Sequence, residues 1–283
     1  MYIELNFQLT EVARQRLFNG RDSRSMDYRS LIAKLSDEYD AGLPSALFHY
    51  ENGKPAPGLS PVRFSSHPKG LRLIGIGVAG VELLTETAAD IQALFVKASK
   101  TFVACSINLG SNRIIVTPYE RQYHASTIVV GDHKRRHQWR AWQKEAEKNH
   151  QSLLDIPEAR QQAERALTHS LRRQLTELHA GPGDDTGINH NTGEHLSHRD
   201  MERLQVKVVS FADLGGVPPF GALQTVHARH VSSAPVGALA LLRPVVSINA
   251  ELVGRWGLGI LQARGYGLLW RHWTEEAANQ EAA

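Results

Sequence analysis

The sequence predicts an α+β protein, with two sheet-forming stretches, a pair of basic helices between them and a glycine-rich segment near the C-terminus. Three observations carry this. Ile3, Leu5, Phe7 and Leu9 alternate with Glu4, Asn6, Gln8 and Thr10, the period of a half-buried strand. From His133 to His179 the apolar spacing lengthens to that of helices, and strand-like runs resume afterwards. Finally, "LVGRWGLGILQARGYGLLW" places Gly254, Gly257, Gly259, Gly265 and Gly267 within fourteen residues, a density that needs a reason because glycine loses the most entropy on folding.

Composition sets the class. The chain has 283 residues, 42% apolar and 22% charged, as in soluble globular proteins. A lone Cys105 excludes an intramolecular disulfide and a cysteine-based zinc site, and suits a reducing compartment. No uncharged apolar run approaches a membrane span, and the first residues read as strand rather than signal peptide. The expected location is cytoplasmic, without a membrane partner. A net charge of +3 and a pI near 9.0 permit a nucleic-acid partner without arguing for one.

In chain order, the first strand leads into a basic, glycine-punctuated stretch, "RQRLFNGRDSRS". A helix starting near Ser25 or Asp27 follows, with Tyr28, Leu31, Ile32, Leu35 and Tyr39 as its apolar stripe. "SALFHYENGKPAPGLSPVRFSS" reads as strand, Gly/Pro-rich turn and strand. "LRLIGIGV" is a further apolar run. A helix over residues 87–98 comes next, before the strands "TFVACSINL" and "RIIVTP". This β-α-β-β-α-β order is ferredoxin-like. Residues 133–180 form a two-helix hairpin, with Trp139, Trp142 and Ala146 on one stripe and Leu167, Leu171, Leu175 and Leu178 on the other. Asp155, Pro157 and Glu158 mark the restart between them. After a polar, Gly-rich loop, "RLQVKVVSF", "ALQTVHARHVSS" and "GALALLRPVVSI" return as strands, and a short helix over 249–255 leads into the glycines. The predicted organisation is therefore an N-terminal ferredoxin-like domain (1–132), a helical insertion (133–180) and a C-terminal ferredoxin-like unit (181–283), each unit being RRM-like in plan.

Two glycine patterns compete for a functional reading. Gly75, Gly77 and Gly80 satisfy G-x-G-x-x-G after an apolar run, but the dinucleotide site also needs an acidic residue about 20 positions on. "VKASKTFVACSINLG" offers none, so tight packing beside a strand is the better reading. The C-terminal glycines form a doublet: Gly257-Leu-Gly259, five residues including Arg264, then Gly265-Tyr-Gly267. Bare backbone beside a cation lets phosphates approach amide groups closely. This doublet resembles the glycine-rich loop of the repeat-associated (RAMP) RNA-binding superfamily of CRISPR proteins. Within it the chain looks most like the endoribonucleases that cut CRISPR repeat RNA, and the helical insertion is similar to the helical finger of the type IV branch.

The resemblance implies a stem-loop repeat RNA and its mature crRNA as ligands, type IV effector subunits as partners, and a reaction needing neither metal nor cofactor. In that reaction a ribose 2′-OH attacks the adjacent phosphate, leaving a 2′,3′-cyclic phosphate. It calls for a proton acceptor, a donor and cations for the phosphorane. Family members often use a histidine near the first helix, yet here no histidine precedes His49. Arg24 and Arg29 stand in that region, and Arg243 lies close in sequence to the glycines. Arginine neutralises and orients phosphate but is no ordinary base. His49 is the reserve acid or base, and Tyr28 either positions the ribose or packs in the core. The expected RNA contacts are Arg21, Arg135, Arg136, Arg140, Lys144, Lys148, Arg165, Arg172, Arg173, Gly257, Gly259, Arg264, Gly265 and Gly267. Residues 133–179 hold ten Lys or Arg against six Asp or Glu, and Arg136, Arg140, Lys144 and Lys148 recur every four residues as one ridge. His190, His195 and His198 lack the spacing that fixes a metal site.

Overall fold

A computed structural model describes residues 1–18, 28–56, 58–67, 69–126, 128–130, 136–151, 155–179, 198–211, 239–241, 244–259, 262 and 267–271. Within these residues the protein is α+β, with two four-stranded antiparallel sheets and several helices.

The alternation read in the sequence builds β1 (Tyr2–Leu9). Its Ile3, Leu5, Phe7 and Leu9 are buried in the first core. α1 (Glu11–Phe18) follows at once, where the sequence suggested only a basic stretch. The Thr10 hydroxyl accepts from the Ala13 amide at 3.1 Å, a cap that starts the helix, while Leu17 and Phe18 bury its end. α2 (Tyr28–Glu38) lies where the apolar stripe predicts it. The strand expected at residues 45–51 is instead a 3-10 turn (Ser45–Phe48) and a small hairpin, β2 (Tyr50–Glu51) with β3 (Lys54–Pro55). β4 (Val62–His67), β5 (Gly70–Ile76), α3 (Gly77–Ser99) and β6 (Val103–Gly110) complete the unit. The strand order β4-β5-β1-β6, with α3 against β1 and β5, is consistent with a ferredoxin-like unit.

The competing G-x-G-x-x-G pattern is explained here by packing. A methyl on Gly75 would sit 2.2 Å from the Gly80 carbonyl oxygen, and one on Gly80 would sit 2.4 Å from that of Pro61. These glycines let the end of β5, the start of α3 and the entry to β4 touch.

β7 (Arg113–Ala125) and β8 (Ile128–Val130) were expected in the first unit, but they pair with the C-terminal half. The second sheet runs β12-β7-β11-β9, with β9 Val206–Phe211, β11 Pro244–Val253 and β12 Leu269–Arg271. β8 pairs with β10 (Leu239–Leu241) as a separate ribbon. The change of sheet thus falls between Gly110 and Arg113, not at residue 132.

The helix expected over 249–255 is absent, and β11 runs on to Val253 through a bulge between Ile248 and Ala250. The side chain of Asn249 accepts from the Gln205 amide and donates to the Arg203 carbonyl. Tyr123 bridges the bulge from inside, donating to the Ala250 carbonyl and accepting from the Leu252 amide.

The basic helices are α4 (Arg136–Asn149) and α5 (Pro157–His179), followed by a short α6 (His198–Arg203). α5 does not stand clear of the body. Leu167, Leu171 and Leu175 are fully buried in the second core, and the helix packs against β9 and β8. Burial of each contributes on the order of 2 kcal/mol. Trp139 and Ala146 bind α4 to the same core, with Trp142 edge-on to Trp139. The apolar stripe that signals a helix hairpin therefore also docks it.

Candidate functional site

The glycine segment is folded tightly onto the protein. Trp256 and Leu258 are buried in the second core. Leu258 donates its amide to the Gly267 carbonyl at 2.9 Å, and Leu269 donates to that of Trp256 at 3.0 Å, closing the two ends of the segment on each other. Gly267 has φ +70°, and a methyl there would lie 1.8 Å from the Leu258 carbonyl oxygen. The Gly259 carbonyl accepts from the Ser170 hydroxyl and from Nε2 of the Gln262 side chain, each at 3.0 Å, and the first of these ties the segment to α5. Gly259 and Gly267 thus have structural work to do inside the protein, while Arg264 and Gly265 lie outside the described residues.

A second cluster unites two of the catalytic candidates. His49 ends the 3-10 turn in a left-handed conformation, φ 57°, with its amide donating to the Ala46 carbonyl at 2.9 Å. Arg29, on α2, lies over the Tyr50 ring at 5.0 Å from its centroid. Burial first, then the charge of Arg29, holds the His49 imidazole below its ordinary pKa of 6.5. A hydrogen bond with the Gly58 backbone and the charge of Glu177 pull the other way. Glu177, from α5, accepts from the Leu59 amide and pairs with Arg173 at 2.6 Å. The cluster therefore joins α2, the turn at His49 and α5, and it keeps the imidazole neutral near pH 7, the form that accepts a proton. Tyr28 is elsewhere: it is buried, with its ring edge-on to Phe18, and of the two readings left open it takes the core one. Arg21, Arg24 and Arg243 lie outside the described residues.

The basic candidates separate by environment. Lys144 and Lys148 are exposed on α4, and Arg165 is exposed on α5. Arg136 and Arg140 share α4 with the two lysines, and Arg135 lies outside the described residues. Arg172 is engaged internally, donating to the backbone carbonyls of Glu202 and Leu204, where it closes the C-terminal end of α6. Arg173 is held by Glu177.

Between the two sheets lies a network that the sequence reading missed. Glu4, on the face of β1 opposite the first core, takes Arg255 at 2.6 Å and Arg72 at 3.3 Å, and accepts from Asn6 at 3.0 Å. Burial alone would raise the Glu4 carboxyl, but the bonds from Asn6 and Arg255 and the charges of Arg72 and Arg255 hold it below its ordinary value. Arg255 immediately precedes the glycine segment, so this pair fixes that segment to the first sheet. The available signal was the alternation itself, which leaves a carboxylate on a strand whose other face is wholly apolar. Among the described residues, no three His, Cys, Asp or Glu side chains gather as metal ligands. His190 and His195 lie outside them.

A family model, "Type IV CRISPR-associated endonuclease Csf5", matches residues 11–273. The chain belongs to this family. A solved structure described as "Crystal structure of Cas6b" is similar over 96% of this chain and 100% of its own, with 13% identity and a TM-score of 0.57, a likeness of fold. Another, described as "Csf5, CRISPR-Cas type IV Cas6 crRNA endonuclease", covers 96% of this chain and 99% of its own at 11% identity and a TM-score of 0.49. No curated protein matches the sequence. The family's span takes in every strand of the two sheets except β1, with the docked helices and the whole glycine segment.

Proposed function

We propose that this chain is a metal-independent endoribonuclease that cleaves CRISPR repeat RNA at a stem-loop and keeps the mature crRNA as a subunit of a type IV effector complex. The observation that carries the reading is the family match over residues 11–273. The two sheets are read as a pair of ferredoxin-like, RRM-like units: each has the spatial order 4-1-3-2 when its four strands are numbered along the chain. In the second, the glycine segment stands where the first has α3.

The proposed step needs only side chains. Neutral His49 takes the proton of a ribose 2′-OH, the 2′ oxygen bonds to the adjacent phosphorus, and the bond to the 5′ oxygen breaks, with a proton supplied from solvent. Arg29, with Arg24 and Arg243 as its expected partners, neutralises the phosphorane. The α4 ridge follows phosphates of the stem, and the glycine segment with Arg264 holds the strand beside it.

Incubation with a hairpin-forming repeat RNA tests the reading. A single cut, with product remaining bound, is expected. Tight binding without any cut makes the chain a non-catalytic RNA-binding subunit instead. The ridge has its own test. Replacing Lys144 and Lys148 together by Gln should weaken binding and flatten the plot of log affinity against log salt by roughly 0.7–0.9 per lost phosphate contact. An unchanged slope would remove α4 from the interface.

A further inference from the structure

Arg63 lies on β4 between Val62 and Phe64, both buried in the first core. Strand alternation turns it to the opposite face, where the glycine segment covers it. It is only 4% exposed, and its Nε and Nη1 have no hydrogen-bond partner. A methyl on Gly257 would fall 2.8 Å from Nη1 of Arg63 and 2.8 Å from Oε1 of Gln262, a side chain that is 6% exposed and whose oxygen is also unpartnered. The hydroxyl of Ser65, two residues along the same face, is buried without a partner as well. Desolvation lowers the Arg63 pKa to about 9, so the guanidinium stays charged at neutral pH.

Among the described residues no carboxylate balances that charge. Glu4 belongs to the same cross-strand row, with Ile74 between them, and is already engaged by Arg72 and Arg255. A buried cation without a counter-charge is strongly unfavourable unless an anion completes it. The bare Cα of Gly257 leaves beside Nη1 the space that a side chain would take, and Gln262 can accept one of its protons and leave the other N–H groups for a ligand.

We propose that Arg63 is the floor of a phosphate site beneath the glycine segment and that it receives a backbone phosphate of the bound RNA. The assignment rests on the RNA-binding reading above. It differs from a purely structural role, in which Arg63 only props up the segment, by its consequences for the free protein and for salt.

Two variants of the full chain decide it. Arg63→Met should leave the free protein melting at the same temperature or higher, because an uncompensated buried charge is replaced by an apolar chain. The same variant should bind hairpin repeat RNA about tenfold or more weakly, with a salt slope smaller by roughly 0.7–0.9. Arg63→Lys, which keeps the charge, should retain most of the slope. Loss of the fold in Arg63→Met, or an unchanged slope in the folded variant, overturns the phosphate site. If the native chain itself fails to bind the hairpin, the RNA-binding reading falls, and the assigned ligand falls with it.

Discussion

His49→Asn is expected to slow cleavage of a hairpin repeat RNA by about 10²–10⁴-fold near neutral pH, with RNA affinity nearly unchanged. Asparagine is the informative replacement because His49 sits at φ 57°, a left-handed conformation that Asn tolerates and Ala resists. The pH profile gives a second readout. Burial and the charge of Arg29 lower the imidazole pKa from 6.5, so a base at this position stays deprotonated further into acid. The native rate should fall as pH drops, with its midpoint below 6.5, and that inflection should vanish in the variant. A variant within about threefold of the native rate, with the inflection intact, would take His49 out of the chemistry. Arg29→Gln should then raise the midpoint, since it removes one of the two causes that hold the pKa down.

The second large effect is on stability. Gly267→Ala should destabilise the chain by about 3 kcal/mol or more, read as a lower urea midpoint. Two causes act together: φ of +70°, and a methyl placed 1.8 Å from the Leu258 carbonyl oxygen. That carbonyl belongs to a buried residue whose amide bonds back to Gly267, so neither side can give way without opening the segment. A change below about 1 kcal/mol would mean that the segment is held more loosely than this geometry requires.

Sequence and structure agree best where local spacing decides the outcome. The alternation in residues 3–9 gives both β1 and its buried face, and the apolar spacing of Leu167, Leu171 and Leu175 gives α5. Periodicity says that a face is apolar, however, not what covers it, and so α5 reads as a finger until β9 is seen beneath it. β7 was misplaced for a related reason. It follows β6 closely in the chain, but its partners β11 and β12 lie more than a hundred residues away, and register with them leaves no local trace. The missed helix α1 did leave one, Thr10 three residues before a buried Ala13.

The candidate site is legible in the sequence only in part. Arg29 and His49 are both candidates in the sequence, but their proximity comes from the turn at residues 45–48, where the sequence suggests a strand. Glu177 and Arg63 do not stand out in the sequence, because one sits on a helix face rich in charge and the other is one of several polar residues in a short strand. The glycines point to the superfamily, but two of them, Gly259 and Gly267, are required by their positive φ and by the Val129 and Leu258 carbonyls beside them before any RNA is considered.

The central claim is that this chain cuts repeat RNA by 2′-OH attack with side chains alone, and the end group of the upstream product tests it most directly. Mass spectrometry after cleavage of the hairpin repeat in EDTA should show one upstream fragment ending in a 2′,3′-cyclic phosphate and a downstream fragment with a free 5′-OH. A 3′-OH paired with a 5′-phosphate, or cleavage that disappears on chelation and returns with a divalent ion, would contradict it.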